Sequence, residues 1–208
     1  MFRYKGIFLA ILFLGFVLFI QSSEAQNANK SKNTNSVQNK VANPHYIITV
    51  TQGKQKFGEI EVELYPNLAP KTCKNFDELV SKKFFDGTAF HRVIPGFMIQ
   101  GGDPNSKIKP KATWGQGDPS QKKIPAEFNS LKHVKGVLSM ARTNDPNSAT
   151  SQFFIMQCSA PNLDSQYSGF GKVVKGIEVV DKICTVKRSG PEGSSPDVKV
   201  EMSIRKKK

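Results

Sequence analysis

Phe90-His91-Arg92-Val93-Ile94-Pro95-Gly96-Phe97-Met98-Ile99-Gln100-Gly101-Gly102-Asp103 is the stretch on which the reading of this chain turns. It lies among short apolar runs (89–94, 97–99, and further on 136–141 and 153–156) broken by Gly, Pro and Asn. Working outward, Ile60, Val62 and Leu64 alternate with Glu59, Glu61 and Glu63, so that strand has one buried and one wet face. Gly53-Lys54 separates it from the run 47–51, as a hairpin connection requires. Near the other end Val198, Val200, Met202 and Ile204 alternate with Lys199, Glu201, Ser203 and Arg205. Strands at both ends invite pairing of the termini and closure of the sheet. Two short helices are expected. One starts at Pro70 with Cys73, Phe76 and Val80 at helical spacing; the other follows Gly176 with Ile177, Val180 and Ile183. Many short strands and few helices predict a mainly β chain closed into an antiparallel barrel, with the helices capping its ends.

The 208 residues suit one domain with a leader rather than two full domains. An apolar fraction of 38% with 15 Phe supports a core and excludes a wholly disordered chain. At the N-terminus, Arg3 and Lys5 precede the uncharged, almost wholly apolar residues 6–20 and then Ser23-Glu24-Ala25. A basic start, an apolar stretch of that length and a small-x-small site describe a secretory signal peptide over 1–25. A spanning helix needs about 20 apolar residues, so membrane contact is expected only if this segment stays uncleaved. The mature chain is expected to begin near Gln26 and to be exported, to a periplasm or the medium. Residues 26–43 hold six Asn, three Lys and no aromatic residue, and read as a flexible tether ahead of a domain at 44–208.

The formal charge is +13, and +12 once Arg3, Lys5 and Glu24 leave with the signal. The lysines are scattered, so the expectation is a solvated basic surface and no nucleic-acid partner. Three Cys (Cys73, Cys158, Cys184) cannot form a disulfide scaffold and leave room for one bridge that the sequence does not place. His45, His91 and His133 fall in no zinc spacing, and neither G-x-S-x-G nor a Walker loop occurs. No metal and no cofactor is expected.

The stretch 90–103, with Met140-Ala141-Arg142-Thr143 and Ser148-Ala149-Thr150-Ser151-Gln152-Phe153-Phe154-Ile155, resembles the cyclophilins, the peptidyl-prolyl cis-trans isomerases built on an eight-stranded barrel. The likeness runs from about residue 45 to 205 and is most like the exported bacterial branch. It includes Leu64-Tyr65-Pro66 with Ala69-Pro70-Lys71-Thr72, and the segment from Phe170-Gly171-Lys172 to Gly176. The resemblance implies rotation about X-Pro bonds in proline-containing peptides and unfolded exported proteins. A Pro-segment-binding chaperone module with little turnover is the alternative. A monomer is expected, since the active face must admit an extended peptide.

That reaction breaks no bond, so it needs neither nucleophile nor general base. It must cross roughly 18–20 kcal/mol of amide resonance. An apolar pocket for the ring, and a donor to the proline nitrogen once conjugation is lost, favour the twisted amide over the planar one. By motif position Arg92 resembles the family's catalytic arginine, with Gln100 beside it in the catalytic set. Phe97, Met98, Phe154 and Leu163 match the proline pocket. Gln100 and Gln152 match groups that hold the substrate or Arg92, and Ala141 and Arg142 lie on the strand that meets the substrate backbone. His91 reads as structural. Three departures stand out. Asn162 precedes Leu163 where many members have Trp, which argues against tight cyclosporin binding. Tyr167 takes the place of a pocket His, and the loop 104–125 diverges and carries Trp114 and several Lys.

Overall fold

The structure, a computed structural model, describes residues 42–208. The signal-peptide reading, and all of the tether reading but Ala42 and Asn43, lie outside the described residues. In chain order come β1 (His45–Gln52), β2 (Gln55–Leu64), α1 (Pro70–Ser81), β3 (Thr88–Ile94), β4 (Met98–Gly101), α2 (Asn105–Ile108), β5 (Val137–Met140), β6 (Phe153–Met156), β7 (Gly169–Lys175), α3 (Ile177–Cys184), β8 (Arg188–Ser189), β9 (Ser195–Pro196) and β10 (Val200–Lys206). Eight of the strands close into a barrel in the order β1-β10-β3-β4-β6-β5-β7-β2, and β8 pairs with β9 in a separate ribbon. All these pairings are antiparallel, as the sequence pattern predicts. Among the described residues no helix is long and apolar enough to cross a membrane.

The hairpin forms at Gly53-Lys54, with Gln52 opposite Gln55. On the other side of β1, Tyr46 pairs with Lys206 and Gln52 with Val200, so the first and last strands seal the barrel. Alternation explains the inward faces: Ile48, Val50, Ile60, Val62, Leu64, Val200, Met202 and Ile204 are all buried. Helices α1 and α3 join the same cluster through Phe76, Val80, Val180 and Ile183. Phe76 stands at its centre, with ring centroids 5.2 Å from Phe85, 5.3 Å from Tyr46, 5.6 Å from Phe170 and 5.7 Å from Phe153.

Two expectations need correction, and one open question is answered. Val198 does not belong to the last strand: it is 54% exposed, because the chain leaves the β8–β9 ribbon at Pro196 and enters the barrel only at Val200. A third helix, the four-residue α2, adds to the two predicted, within the divergent loop that follows β4. All three thiols are free, with Cys73 and Cys184 buried and Cys158 exposed. Burial pushes the Cys73 thiol up to about 12 and Cys184 up to about 11, so neither is a reactive thiolate near neutrality.

Candidate active site

The site is built on the outside of the barrel, where β3, β4 and β6 lie side by side. Residues 153–156 form an unbroken apolar run because both faces of β6 are covered. Phe153 and Ile155 fill the interior, while Phe154 and Met156 belong to a second apolar cluster with Met98, Val137, Ala160 and Leu163. In register, Arg92 lies opposite Gln100 and Gln100 opposite Phe154; Ile94 lies opposite Met98 and Met98 opposite Met156. These outward side chains form the floor and rim of the site.

Arg92 faces outward because β3 is irregular. Phe90 pairs with Gly101 and Arg92 with Gln100, so His91 is one residue too many. Bulges of this kind re-aim side chains beside functional sites. Here Phe90 and Val93 both reach the interior, three residues apart, and Arg92 is left at the rim. Pro95-Gly96 then reverses the chain: Phe97 N–H donates to Ile94 O (3.0 Å), and Gly96 takes φ 77°, as the third position of a type II turn requires.

Nine of the ten expected site residues line one cavity of about 250 Å³: Arg92, Phe97, Met98, Gln100, Ala141, Arg142, Phe154, Leu163 and Tyr167. The tenth, Gln152, lines an adjoining cavity of about 300 Å³ that shares Gln100, Ala141 and Arg142 with the first. Gln100 Nε2 donates to Gln152 Oε1 (3.0 Å), and Gln152 Nε2 donates to Gly115 O (3.1 Å). The two glutamines therefore hold each other, whereas the acid beside Arg92 is Glu192. The Arg142 guanidinium lies 4.4 Å from the Tyr167 ring centre and donates to the carbonyls of Thr143 (2.9 Å) and Gln166 (3.1 Å). It is thus fixed as part of the wall. Asn162 is exposed, while Leu163 in the same short turn is buried.

Two supporting groups went unread in the sequence. The His133 ring stacks on Phe154 (centroids 6.1 Å) and meets the edge of Tyr167 (6.4 Å). Its Nδ1 lies 3.2 Å from Asp164 Oδ1 and its Nε2 3.0 Å from Ser139 Oγ. Asp, His and Ser in this order resemble a hydrolase relay. Ser139 is fully buried, though, so no carbonyl reaches it, and the trio braces the aromatic wall. Asp103, also fully buried, accepts from the backbone N–H groups of Asn105 (2.9 Å), Gly115 and Gly117 (3.2 Å). It thereby holds the loop after β4 against the site.

Burial pulls the imidazoles of His91 and His133 below their ordinary range, the nearby acids Asp103 and Asp164 only partly opposing it. Both fold neutral, whereas the unfolded chain takes up protons as pH falls through about 6.5. Below that value the unfolded state binds more protons than the native one, so stability is complete above it and is lost as pH falls further. The urea midpoint is expected to drop between pH 7 and pH 5, before the carboxylates titrate. An unchanged midpoint across that window contradicts the buried-neutral assignment.

A cavity of about 250 Å³ with an apolar floor of Phe97, Met98, Phe154 and Leu163, and with the Arg92 guanidinium at its rim, suits a substrate that is hydrophobic on one side and gains an acceptor as it reacts. The comparisons agree with that chemistry. Residues 46–205 match the family model described as cyclophilin type peptidyl-prolyl cis-trans isomerase/CLD. A peptidyl-prolyl cis-trans isomerase of Acinetobacter baylyi is 47% identical over 68% of this chain and 74% of its own length. A probable peptidyl-prolyl cis-trans isomerase of Brucella suis is 40% identical over 87% of this chain and 91% of its own. The crystal structure of a cyclophilin-type isomerase of Cryptosporidium parvum superimposes with TM-score 0.68 at 30% identity, covering 80% of this chain and 98% of that one. A second structure of that isomerase, in the presence of the dipeptide Ala-Pro, gives TM-score 0.67 at 31% identity, covering 79% of this chain and 99% of that one. With its barrel, its outward pocket and these relatives, the chain belongs to the cyclophilin-type peptidyl-prolyl cis-trans isomerases.

Proposed function

We propose that this isomerase works on exported proteins, binding their X-Pro segments across the outer face of β3, β4 and β6. The cavity lined by Phe97, Met98, Phe154 and Leu163, with Arg92 at its rim, carries the reading. The proline ring enters the apolar floor, and the peptide backbone runs along Ala141 and Arg142. In the planar ground state the proline nitrogen lone pair is delocalised into the carbonyl and accepts poorly. As the bond twists the lone pair localises, and an Arg92 N–H donates to it. The bond strengthens in the transition state, which is the condition for raising the rate. Gln100 and Gln152 keep the polar rim in register. No proton needs to be transferred, which leaves His91 structural.

The export half of the proposal rests on the basic-apolar-small pattern of residues 1–25. Its test is fractionation of cells making the full chain, with the N-terminus and mass of the recovered protein determined and each fraction assayed on an Ala-Pro peptide. Turnover in the exported fraction by a chain starting near Gln26 is the expected result. Activity confined to the cytoplasm in a full-length chain refutes export while leaving the enzyme intact.

A further inference from the structure

Arg92 Nη2 lies 3.7 Å from Glu192 Oε2, and among the described residues no other carboxylate comes within 4.0 Å of that guanidinium. Glu192 sits in the short turn Pro191–Gly193 at φ 58°, ψ 14°. This is the left-handed region, where a side chain's Cβ crowds the carbonyl oxygen and which Gly occupies without that clash. Glycines stand close by at 190 and 193, both also at positive φ, yet position 192 carries a charged side chain.

The turn is held firmly against the catalytic strand. Val93 N–H, one residue past Arg92, donates to Ser194 O (2.7 Å). Arg188 Nε donates to Gly193 O (3.2 Å), and its Nη1 donates to the carbonyls of Cys184 and Val186 (both 2.7 Å). Gly193 N–H and Ser194 Oγ close the turn on Gly190 O and Pro191 O (3.0 Å each). A stiff loop therefore delivers one carboxylate to one guanidinium.

As a stabilising contact the arrangement achieves little. Glu192 is 72% exposed and Arg92 39% exposed, so water and salt screen the pair, and the backbone conformation works against it. What the pair does achieve is to limit where a long, partly exposed arginine can swing. Resting on the assignment of Arg92 as the donor to the proline nitrogen, we infer that Glu192 is a positioning residue that holds the Arg92 guanidinium over the mouth of the proline cavity. Its strained backbone is retained for catalysis, not for stability.

The test compares wild type, Glu192→Gln, Glu192→Gly, Arg92→Ala and the double variant Arg92→Ala/Glu192→Gln, using an Ala-Pro peptide and urea unfolding. Both Glu192 variants are expected to lose about 3- to 10-fold in kcat with KM little changed, since an exposed pair contributes modestly. Glu192→Gly is expected to keep or raise the urea midpoint, which a merely structural role does not allow. The wild-type advantage over Glu192→Gln should shrink between low salt and about 0.5 M salt, as the Debye length contracts. In the Arg92→Ala background Glu192→Gln should change nothing further. Glu192 variants equal to or faster than wild type, beside an impaired Arg92→Ala, overturn the positioning role alone. Full activity in Arg92→Ala overturns the assignment on which it rests.

Discussion

Arg92→Ala, in the chain beginning at Gln26, is expected to lower kcat/KM for an Ala-Pro peptide about 10²- to 10³-fold, the usual loss when one transition-state donor is removed. The loss should fall mainly on kcat. The planar substrate offers Arg92 little to bond, so ground-state affinity rests on the apolar floor of Phe97, Met98, Phe154 and Leu163, which the variant leaves untouched. Arg92 is 39% exposed and its partner Glu192 more so, and the urea midpoint should therefore barely move. Arg92→Lys keeps the charge without the planar fork and should recover only part of the rate. Protease-coupled turnover with wild type and both variants, beside peptide titration by NMR, makes the measurement. An Arg92→Ala variant within twofold of wild type removes the arginine from the mechanism and leaves the cavity as a binding site.

The largest stability effect is expected at Phe76. Its ring is 2% exposed and sits within 5.2–5.7 Å, centre to centre, of Tyr46, Phe85, Phe153 and Phe170. It is the main wedge that α1 drives into the barrel. Phe76→Ala removes a buried ring whose neighbours come from three strands and a turn, so the hole cannot collapse from one side. A loss of about 3–5 kcal/mol follows, a large part of the whole margin of a small domain. Phe76→Leu leaves most of the volume filled and should be distinctly milder. Urea unfolding of the two variants decides the matter; a Phe76→Ala loss below about 1 kcal/mol excludes the ring as the keystone of the interior. Phe153 shows how this links to the site, since the strand that presents it inward presents Phe154 to the outer cavity.

Much of the architecture was legible along the chain. The Ile60, Val62, Leu64 alternation and its counterpart at Val200, Met202, Ile204 place one face inward by period alone. Pro70 and Gly176 mark the starts of α1 and α3. The 153–156 run was legible as a short apolar segment, but that both its faces are covered, and by what, was not. Val198 misled because alternation continues two residues past the point where the ribbon ends, and period alone cannot see that the chain is still outside the barrel. The site residues came from motif position, and nine of them do meet in one cavity. Glu192 and the His133–Asp164–Ser139 brace gave no such signal.

By itself, then, the sequence determined the strand faces, the helix starts, the family, and the residue types that line the outer cavity, because each of these is written in local spacing or in a contiguous motif. Only the tertiary structure decided that His91 bulges so that Arg92 turns outward, that Gln100 and Gln152 bond each other, and that a loop 100 residues downstream of Arg92 brings Glu192 to its guanidinium. The physical reason is that pairing irregularities between strands, and loops packed from distant parts of the chain, set these residues side by side. Alternation fixes which face of a strand is buried, but it does not show the one-residue shift at His91 that turns the following side chains to the other face.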